Sequence, residues 1–283
     1  MLQVIIENKY GEQLNLSNND DYSLIQVGGL TPPTATINTG VLATKDGSVF
    51  NSSRLNDRNI TLMIVPRHSI ERTRINLYKY IKSKQYIKLW IKNGTRDVWI
   101  DGYVESMEGD LFENPQKMQA SIICPDPYFK SRETVVTSFS KVTAGFTFPF
   151  SIDDDGIAIS TMELYTEQNI YNPSDDETGI VVELYARTDR VLEPTLYNQT
   201  TGEKFTVSYE LTAGDKIILN TKRGEKSLVA IHEGVETNII NNMTRDSKWF
   251  TLIAGDNIFS YSCVYGAENL QVTTTLQPIY EGV

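Results

Sequence analysis

The chain is poor in the residues that carry metal and nucleophilic chemistry: 2 cysteines and 2 histidines in 283 positions. Cys124 and Cys263 stand far apart, so a disulfide framework is not expected and synthesis in a reducing cytoplasm fits. His68 and His232 are as widely separated. No C-x-x-C, H-x-x-x-H or H-E-x-x-H spacing occurs, which removes the usual transition-metal motifs. Neither a G-x-S-x-G elbow nor a phosphate-cradling glycine-rich loop is present. No apolar run approaches the roughly 20 residues that cross a bilayer. The opening Met1–Asn8 reaches Glu7 after a short apolar run, without the charged-then-apolar order of a secretion signal, so a soluble protein is expected.

Basic charge is also scarce. Against 36 Asp and Glu there are 26 Lys and Arg, a net charge of −10. Residues 1–134 are nearly balanced, with 16 basic and 15 acidic side chains, whereas the remainder carries 10 against 21. An acidic second half with no basic stripe argues against binding nucleic acid through its phosphates. What is plentiful is tyrosine, 15 against 10 Phe and 3 Trp. Phenol rings suit β-surfaces and protein interfaces alike. At this length two domains are the default expectation.

Most of the chain reads as short strands separated by turns. Leu2–Glu7 and Tyr22–Leu30 are strand-like, and Thr31-Pro32-Pro33-Thr34 breaks the ladder because proline has no N–H to donate. Asn59–Val65 is a strand stopped by Pro66. One helix follows, with Ser69 placed to cap it, Glu71 in its first turn and Lys82 and Lys84 in its last. Ile70, Leu77, Tyr78 and Ile81 are expected on its buried face. In Tyr86–Ile91 the side chains of Ile87, Leu89 and Ile91 point one way, and Asn93-Gly94 turns the chain into Val98–Met107. Lys117–Cys124 closes this set, and Pro125-Asp126-Pro127 is a stiff exit.

The second half is nearly all β. Gly145–Ser151, Gly156–Tyr165, Ile180–Ala186, Pro194–Tyr197, Lys204–Tyr209 and Leu270–Gln277 are expected strands. Lys216–Asn220 and Ser227–Ile231 flank a hairpin turn, as do Trp249–Ile253 and Asn257–Val264. Many short strands at this spacing predict a β-sandwich.

In this order, "IIENKYGEQLNL", "YSLIQVGGLTPPTATI", "KDGSVFNSSRLNDRNITLMI", the lone helix, "IDGYVES" and "SIICPDPYF" resemble the amino-terminal domains of distal tail (Dit) proteins of long-tailed phages. "LTAGDKIILNTKRGEKSL", "SKWFTLIAGDNIFSYS" and the terminal "IYEGV" are similar to the carboxy-terminal domains of Dit proteins from phages of Gram-positive hosts. The strongest likeness lies at Gly28–Thr34, Asp46–Arg58, Asp101–Tyr103 and Pro125–Phe129.

The resemblance implies a mainly β protein of two domains. Residues 1–134 would form a tail-tube-like β-barrel or sandwich with one helix, and residues 135–283 a galectin-like or carbohydrate-module-like β-sandwich. It implies a non-enzymatic virion subunit at the tail tip or baseplate, made in the host cytoplasm, with no cofactor, metal or membrane insertion. Six copies would close a hollow hub, with the major tail (tube) protein, a tail-associated (Tal) protein and a receptor-binding protein as partners. An equivalent hub in a contractile tail or a tail-like bacteriocin fits the same residues.

A ring uses a head-to-tail interface whose rotation closes. The segment Gly40–Asn59 mixes polar and apolar residues, and its Lys45, Asp46, Arg54 and Arg58 would reach onto a neighbouring copy. A surface hairpin serving only its own subunit is the alternative. For other chemistry, Asp153-Asp154-Asp155-Gly156 offers hard oxygens, but it lacks the alternating ligands and distal glutamate of an EF-hand and reads better as a solvated turn. No carboxylate pair is singled out for glycoside hydrolysis. Host-wall carbohydrate binding remains an alternative, with Tyr165, Tyr171, Tyr185, Tyr197 and Trp249 as stacking candidates.

Overall fold

The computed structural model describes residues 2–44, 46–144, 160–164 and 167–283. Lys45, the expected strand Gly145–Ser151, most of Gly156–Tyr165 and the Asp153–Asp155 run lie outside the described residues. The chain divides into two compact units, one of Met1–Glu133 with Ile279–Val283, the other of Thr134–Pro278. The division expected from sequence assigned Ile279–Val283 to the second domain; these residues instead join the first unit.

The first unit contains β1 (Gln3–Asn8), β2 (Gln13–Asn15), β3 (Tyr22–Gly28), β4 (Ala35–Gly40), β5 (Val49–Leu55), β6 (Arg58–Pro66), helix α1 (Ile70–Tyr80), β7 (Tyr86–Lys92), β8 (Asp97–Gly109), β9 (Met118–Cys124) and β10 (Phe129–Ser131). Its main sheet runs β2-β1-β7-β8-β9-β6-β3, and β10 pairs with β8. The path has two free ends, so the sheet is open; of the barrel or sandwich that the resemblance implied, it is not closed into a barrel. β2 has only three residues and β3 carries a bulge between Leu24 and Gln26. Short and bulged strands end a sheet and resist further pairing.

Alternation builds the core. Val4 and Ile6, Ile60, Leu62 and Ile64, Ile87, Leu89 and Ile91, and Val98, Ile100 and Val104 all turn one side of their strands inward. Gly102 stands in that inward row, where a Cβ would lie 2.6 Å from Ile122 Cγ2 and 2.9 Å from Cys124 Sγ. Only glycine fits there.

Helix α1 lies where the periodicity predicts, but it is rotated. Thr73, Arg74 and Leu77 are its buried residues, with Ile81 buried just beyond it, while Ile70 and Tyr78 are exposed. Ser69 occupies the cap position in a left-handed conformation (φ 45°) and its hydroxyl makes no cap bond. The Thr73 hydroxyl instead donates to the His68 carbonyl. A buried Arg74 held by Glu71 and Tyr78 takes the place that the pattern had reserved for an aliphatic side chain.

The second unit contains β11 (Val135–Ser138), β12 (Ser140–Ala144), β13 (Ser160–Leu164), β14 (Glu167–Asn172), β15 (Ile180–Ala186), β16 (Val191–Leu192), β17 (Thr195–Asn198), β18 (Glu203–Thr206), β19 (Glu210–Leu211), β20 (Lys216–Asn220), β21 (Ser227–His232), β22 (Val235–Asn238), β23 (Gly255–Ser262) and β24 (Leu270–Leu276). One sheet runs β11-β24-β15-β20-β21-β22 and another β14-β23-β17-β18. Between them lies one apolar core, with Val182, Leu184, Leu219 and Val272 from the first sheet and Ile170, Leu196, Phe205 and Phe259 from the second. Phe250 joins it, with its ring 5.0 Å from that of Phe259. Trp249–Ile253, expected as a strand, contributes only an isolated bridge between Leu252 and Thr178.

Candidate functional site

The feature of the first unit that its own core does not explain is the hairpin of β4 and β5. Among the described residues, these two strands pair only with each other. A two-stranded hairpin is marginal in water without a third strand or a packed face. The register places Ala35 opposite Leu55, Ile37 opposite Ser53 and Thr39 opposite Phe50, with a bulge before the last pair. Directly opposed side chains share a face, so Ala35, Ile37, Phe50 and Leu55 form an apolar side. Thr36, Asn38, Ser52 and Arg54 form the polar one.

The apolar side is uncovered in the isolated chain. Ile37 is 56% exposed and Phe50 61%, and Val41 and Leu42 at the turn are exposed as well. Burying each such side chain is worth roughly 1.5–3 kcal/mol. Arg54 and Asp46 lie in the open on this hairpin, with no ion pair among the described residues. Asp46 and Arg54 thus both lie on the exposed arm, Asp46 in its turn and Arg54 near its root, opposite Thr36.

Arg58 does not join them. It is 3% exposed, and its guanidinium serves its own chain. Nε donates to the Pro127 carbonyl at 2.7 Å, Nη1 to Gly29 at 2.5 Å and Thr31 at 2.7 Å, and Nη2 to Glu281 at 2.5 Å. The guanidinium also lies 4.4 Å from the centre of the Phe129 ring. Burial lowers the Arg58 pKa from its ordinary value, and four carbonyl oxygens supply the partners that a buried cation requires.

This node gathers the segments that carry the sequence resemblance: Gly28–Thr34, Pro125–Phe129 and Arg58 itself. Gly29 holds φ +80°, and a Cβ there would fall 2.1 Å from the Asn59 carbonyl oxygen, so only glycine admits the close approach. At the root of the arm, the Thr36 hydroxyl donates to Asn56 Oδ1 at 2.6 Å, and the Asn56 N–H donates to the Thr34 carbonyl at 2.9 Å.

Sequence reasoning missed the tail. The strand β25 (Ile279–Tyr280) pairs with β10, the Val283 N–H donates to Leu30 at 3.0 Å, and Arg96 stacks 4.2 Å from the Tyr280 ring while donating to the Gly282 carbonyl. The available signal was the apolar pair Ile279-Tyr280 in "IYEGV", which fits one short added strand.

Other expected sites resolve as follows. Among the described residues, no three His, Cys, Asp or Glu side chains converge as a metal ion would require, and no helix is long and apolar enough to cross a membrane. Burial pushes the Cys124 thiol up to about 12, partly opposed by the nearby Arg58, and burial likewise puts Cys263 at about 12; both are poor nucleophiles. Of the stacking candidates, Trp249 packs 5.1 Å from Phe205, Tyr171 is exposed, and Tyr197 borders a small recess with Lys204 and Asp246. Tyr165 lies outside the described residues.

Residues 174–280 match the family model described as siphovirus-type tail component, C-terminal domain. No curated protein matches the sequence. In fold, the chain is similar to the Dit protein of phage SPP1, described as a paradigm of the hub adsorption apparatus in phages that infect Gram-positive hosts. The TM-score is 0.68 at 11% identity, over 99% of each chain. It is also similar to a chain of the phage P2 baseplate in its activated conformation with Ca, with a TM-score of 0.51 at 12% identity over 100% of each chain. With a tail-component domain matched over 174–280 and the fold shared along nearly its whole length, this protein resembles the distal tail (Dit) proteins.

Proposed function

We propose that this protein is a structural subunit of a phage tail tip, a distal tail hub in which the first unit closes a hexameric ring. The ring joins the tail tube to the tail-associated and receptor-binding proteins of the baseplate, and the second unit serves as an attachment module. The role is architectural and not catalytic. Support comes above all from the β4–β5 arm, an amphipathic hairpin with an uncovered apolar side and its root fastened by Arg58 and Asn56. Laid across the next copy, the apolar side loses its contact with water, and the free edges of both strands gain partners. Asp46, in the turn at the end of the arm, then reaches the neighbour's surface, while Arg54, on the polar side, faces away from it.

Negative-stain microscopy of the purified full-length chain tests this reading. Hollow six-fold rings are expected; particles with no symmetric closure, alone or mixed with the tube protein, would remove it.

A second reading gives the second unit a carbohydrate role. It is favoured by the recess of about 320 Å³ where Tyr197 adjoins Gln199, Glu203, Lys204, Asp246 and Lys248, an aromatic face beside polar groups. A glycan array with host-wall sugars decides it, and silence across those sugars ends it.

A further inference from the structure

Two exposed patches of the first unit, neither on the arm, have opposite charge and apolar centres. The first is the turn between β8 and β9, where Phe112 is 98% exposed beside an exposed Leu111. The turn is held by its own bonds. Asp110 Oδ1 accepts from the Phe112 N–H at 2.8 Å, Gln116 Nε2 donates to the Leu111 carbonyl at 2.8 Å, and Lys117 pairs with Glu113. A side chain presented on such a turn has little freedom left to lose on docking, which is the form an aromatic interface anchor takes. Around it, residues 105–113 carry Glu105, Glu108, Asp110 and Glu113 with no Lys or Arg, and Lys117 offsets Glu113, so Glu108 and Asp110 beside the anchor carry the negative charge.

The second patch is the outer side of α1. Because Thr73, Arg74 and Leu77 face inward, Ile75 is 52% exposed and Tyr78 is exposed beside it. A groove of about 780 Å³ runs here, lined among others by Asp21, His68, Glu71, Arg72, Ile75 and Lys79. Residues 67–84 carry Arg67, Arg72, Arg74, Lys79, Lys82 and Lys84 against the single acid Glu71. Arg74 is already held by that glutamate at 2.6 Å, which leaves Asp21 in the groove's lining against the other five basic groups and an excess of positive charge.

We infer that the Leu111–Phe112 turn of one copy seats in the α1 groove of the next, with Phe112 against Ile75 and Glu108 and Asp110 against Arg72 and Lys79. This rests on the ring reading above and names a second contact for it. A head-to-tail ring needs two different, complementary patches on every subunit. An acid-flanked anchor and a base-flanked groove are such a pair, and like charge disfavours turn-to-turn or groove-to-groove contact.

The test uses the full-length chain, with assembly read by native mass spectrometry and folding by thermal unfolding. Phe112→Ser is expected to weaken assembly at least tenfold with unfolding unchanged. Glu108→Lys and Arg72→Glu should each weaken it, and the two together should restore it. In a Cys263→Ser background, Phe112→Cys with Ile75→Cys should give a ladder of disulfide-linked copies under mild oxidant. If the wild type forms rings and Phe112→Ser forms them equally well, the ring stands and this contact falls. Normal rings of Phe112→Ser that no longer bind the tube protein would assign the anchor to an axial partner and overturn the inference too. A wild type that stays monomeric at every concentration removes the ring reading itself, and this contact with it.

Discussion

The Arg58 guanidinium donates from Nη2 to the carbonyl oxygen of Glu281 at 2.5 Å, across 223 positions of sequence. One side chain thereby ties the base of the exposed arm, the Gly29–Thr31 backbone and the end of the chain into one node.

Arg58→Met should therefore cost the first unit about 3 kcal/mol or more, since leaving each buried carbonyl unpaired costs roughly 1–3 kcal/mol. Arg58→Lys should rescue it only in part, because an ammonium cannot reproduce the planar fork. Chemical denaturation measures the loss, and faster hydrogen exchange at the Val283 N–H should accompany it. Unchanged stability in Arg58→Met would mean that the four bonds hold nothing.

Gly102→Ala should destabilise by about 1–3 kcal/mol, the usual cost of overpacking a filled core, because the new methyl meets Ile122 and Cys124. Gly94→Ala, where nothing lies within 4 Å, serves as the control and should change stability little. Equal unfolding midpoints for the two variants would contradict the packing described.

In the second unit, His232 Nδ1 lies 2.7 Å from Asp215 Oδ1. The hydrogen bond to Asp215 and then its negative charge hold the imidazole above its ordinary 6.5. Burial pushes Asp215 upward, but the hydroxyl and N–H of Thr212, with His232, outweigh it and hold the carboxylate below its ordinary 3.8. The histidine contribution is present in full below 6.5 and is lost as pH rises through its raised pKa. The aspartate contribution is present above 3.8 and is lost as pH falls through its lowered pKa. Thermal unfolding of the wild type should show a shallow decline above pH 6.5 that His232→Gln abolishes. Parallel profiles for the two proteins would exclude the coupling.

Phe50→Ser and Ile37→Ser, on the exposed apolar side of the arm, should shift the stability of the folded chain by no more than about 0.5 kcal/mol, as surface changes do. Both should still abolish assembly. A large loss of intrinsic stability would mean that the arm is covered within its own subunit.

Much of this architecture was legible because it follows from local alternation. Ile87, Leu89 and Ile91 are buried as their period of two demands, and the Lys216–Asn220 and Ser227–His232 strands turn through Gly224 at φ +82°. What escaped depends on distant parts of the chain. A charged Arg58 beside a polar loop reads as exposed, and only the convergence of Gly29, Pro127 and Glu281 upon it shows otherwise. The rotation of α1 was hidden for the same reason: a buried arginine, held through its two Nη atoms by Tyr78 and Glu71, displaces the expected aliphatic face. The open ends of the first sheet are likewise invisible to a local pattern. The sequence of Gly40–Asn59 shows mixed polar and apolar residues that fit a loop reaching a neighbour or a surface hairpin, and the apolar side becomes evident only from the pairing of Ile37 with Ser53 and Thr39 with Phe50.

The most direct measurement is native mass spectrometry of the full-length protein beside its Phe50→Ser variant over a range of concentrations. Self-association through the arm predicts a wild-type species of about six times 32.0 kDa and a variant that stays at the mass of one chain. A wild type that remains a single chain throughout, or a variant that assembles as well as the wild type, would contradict it.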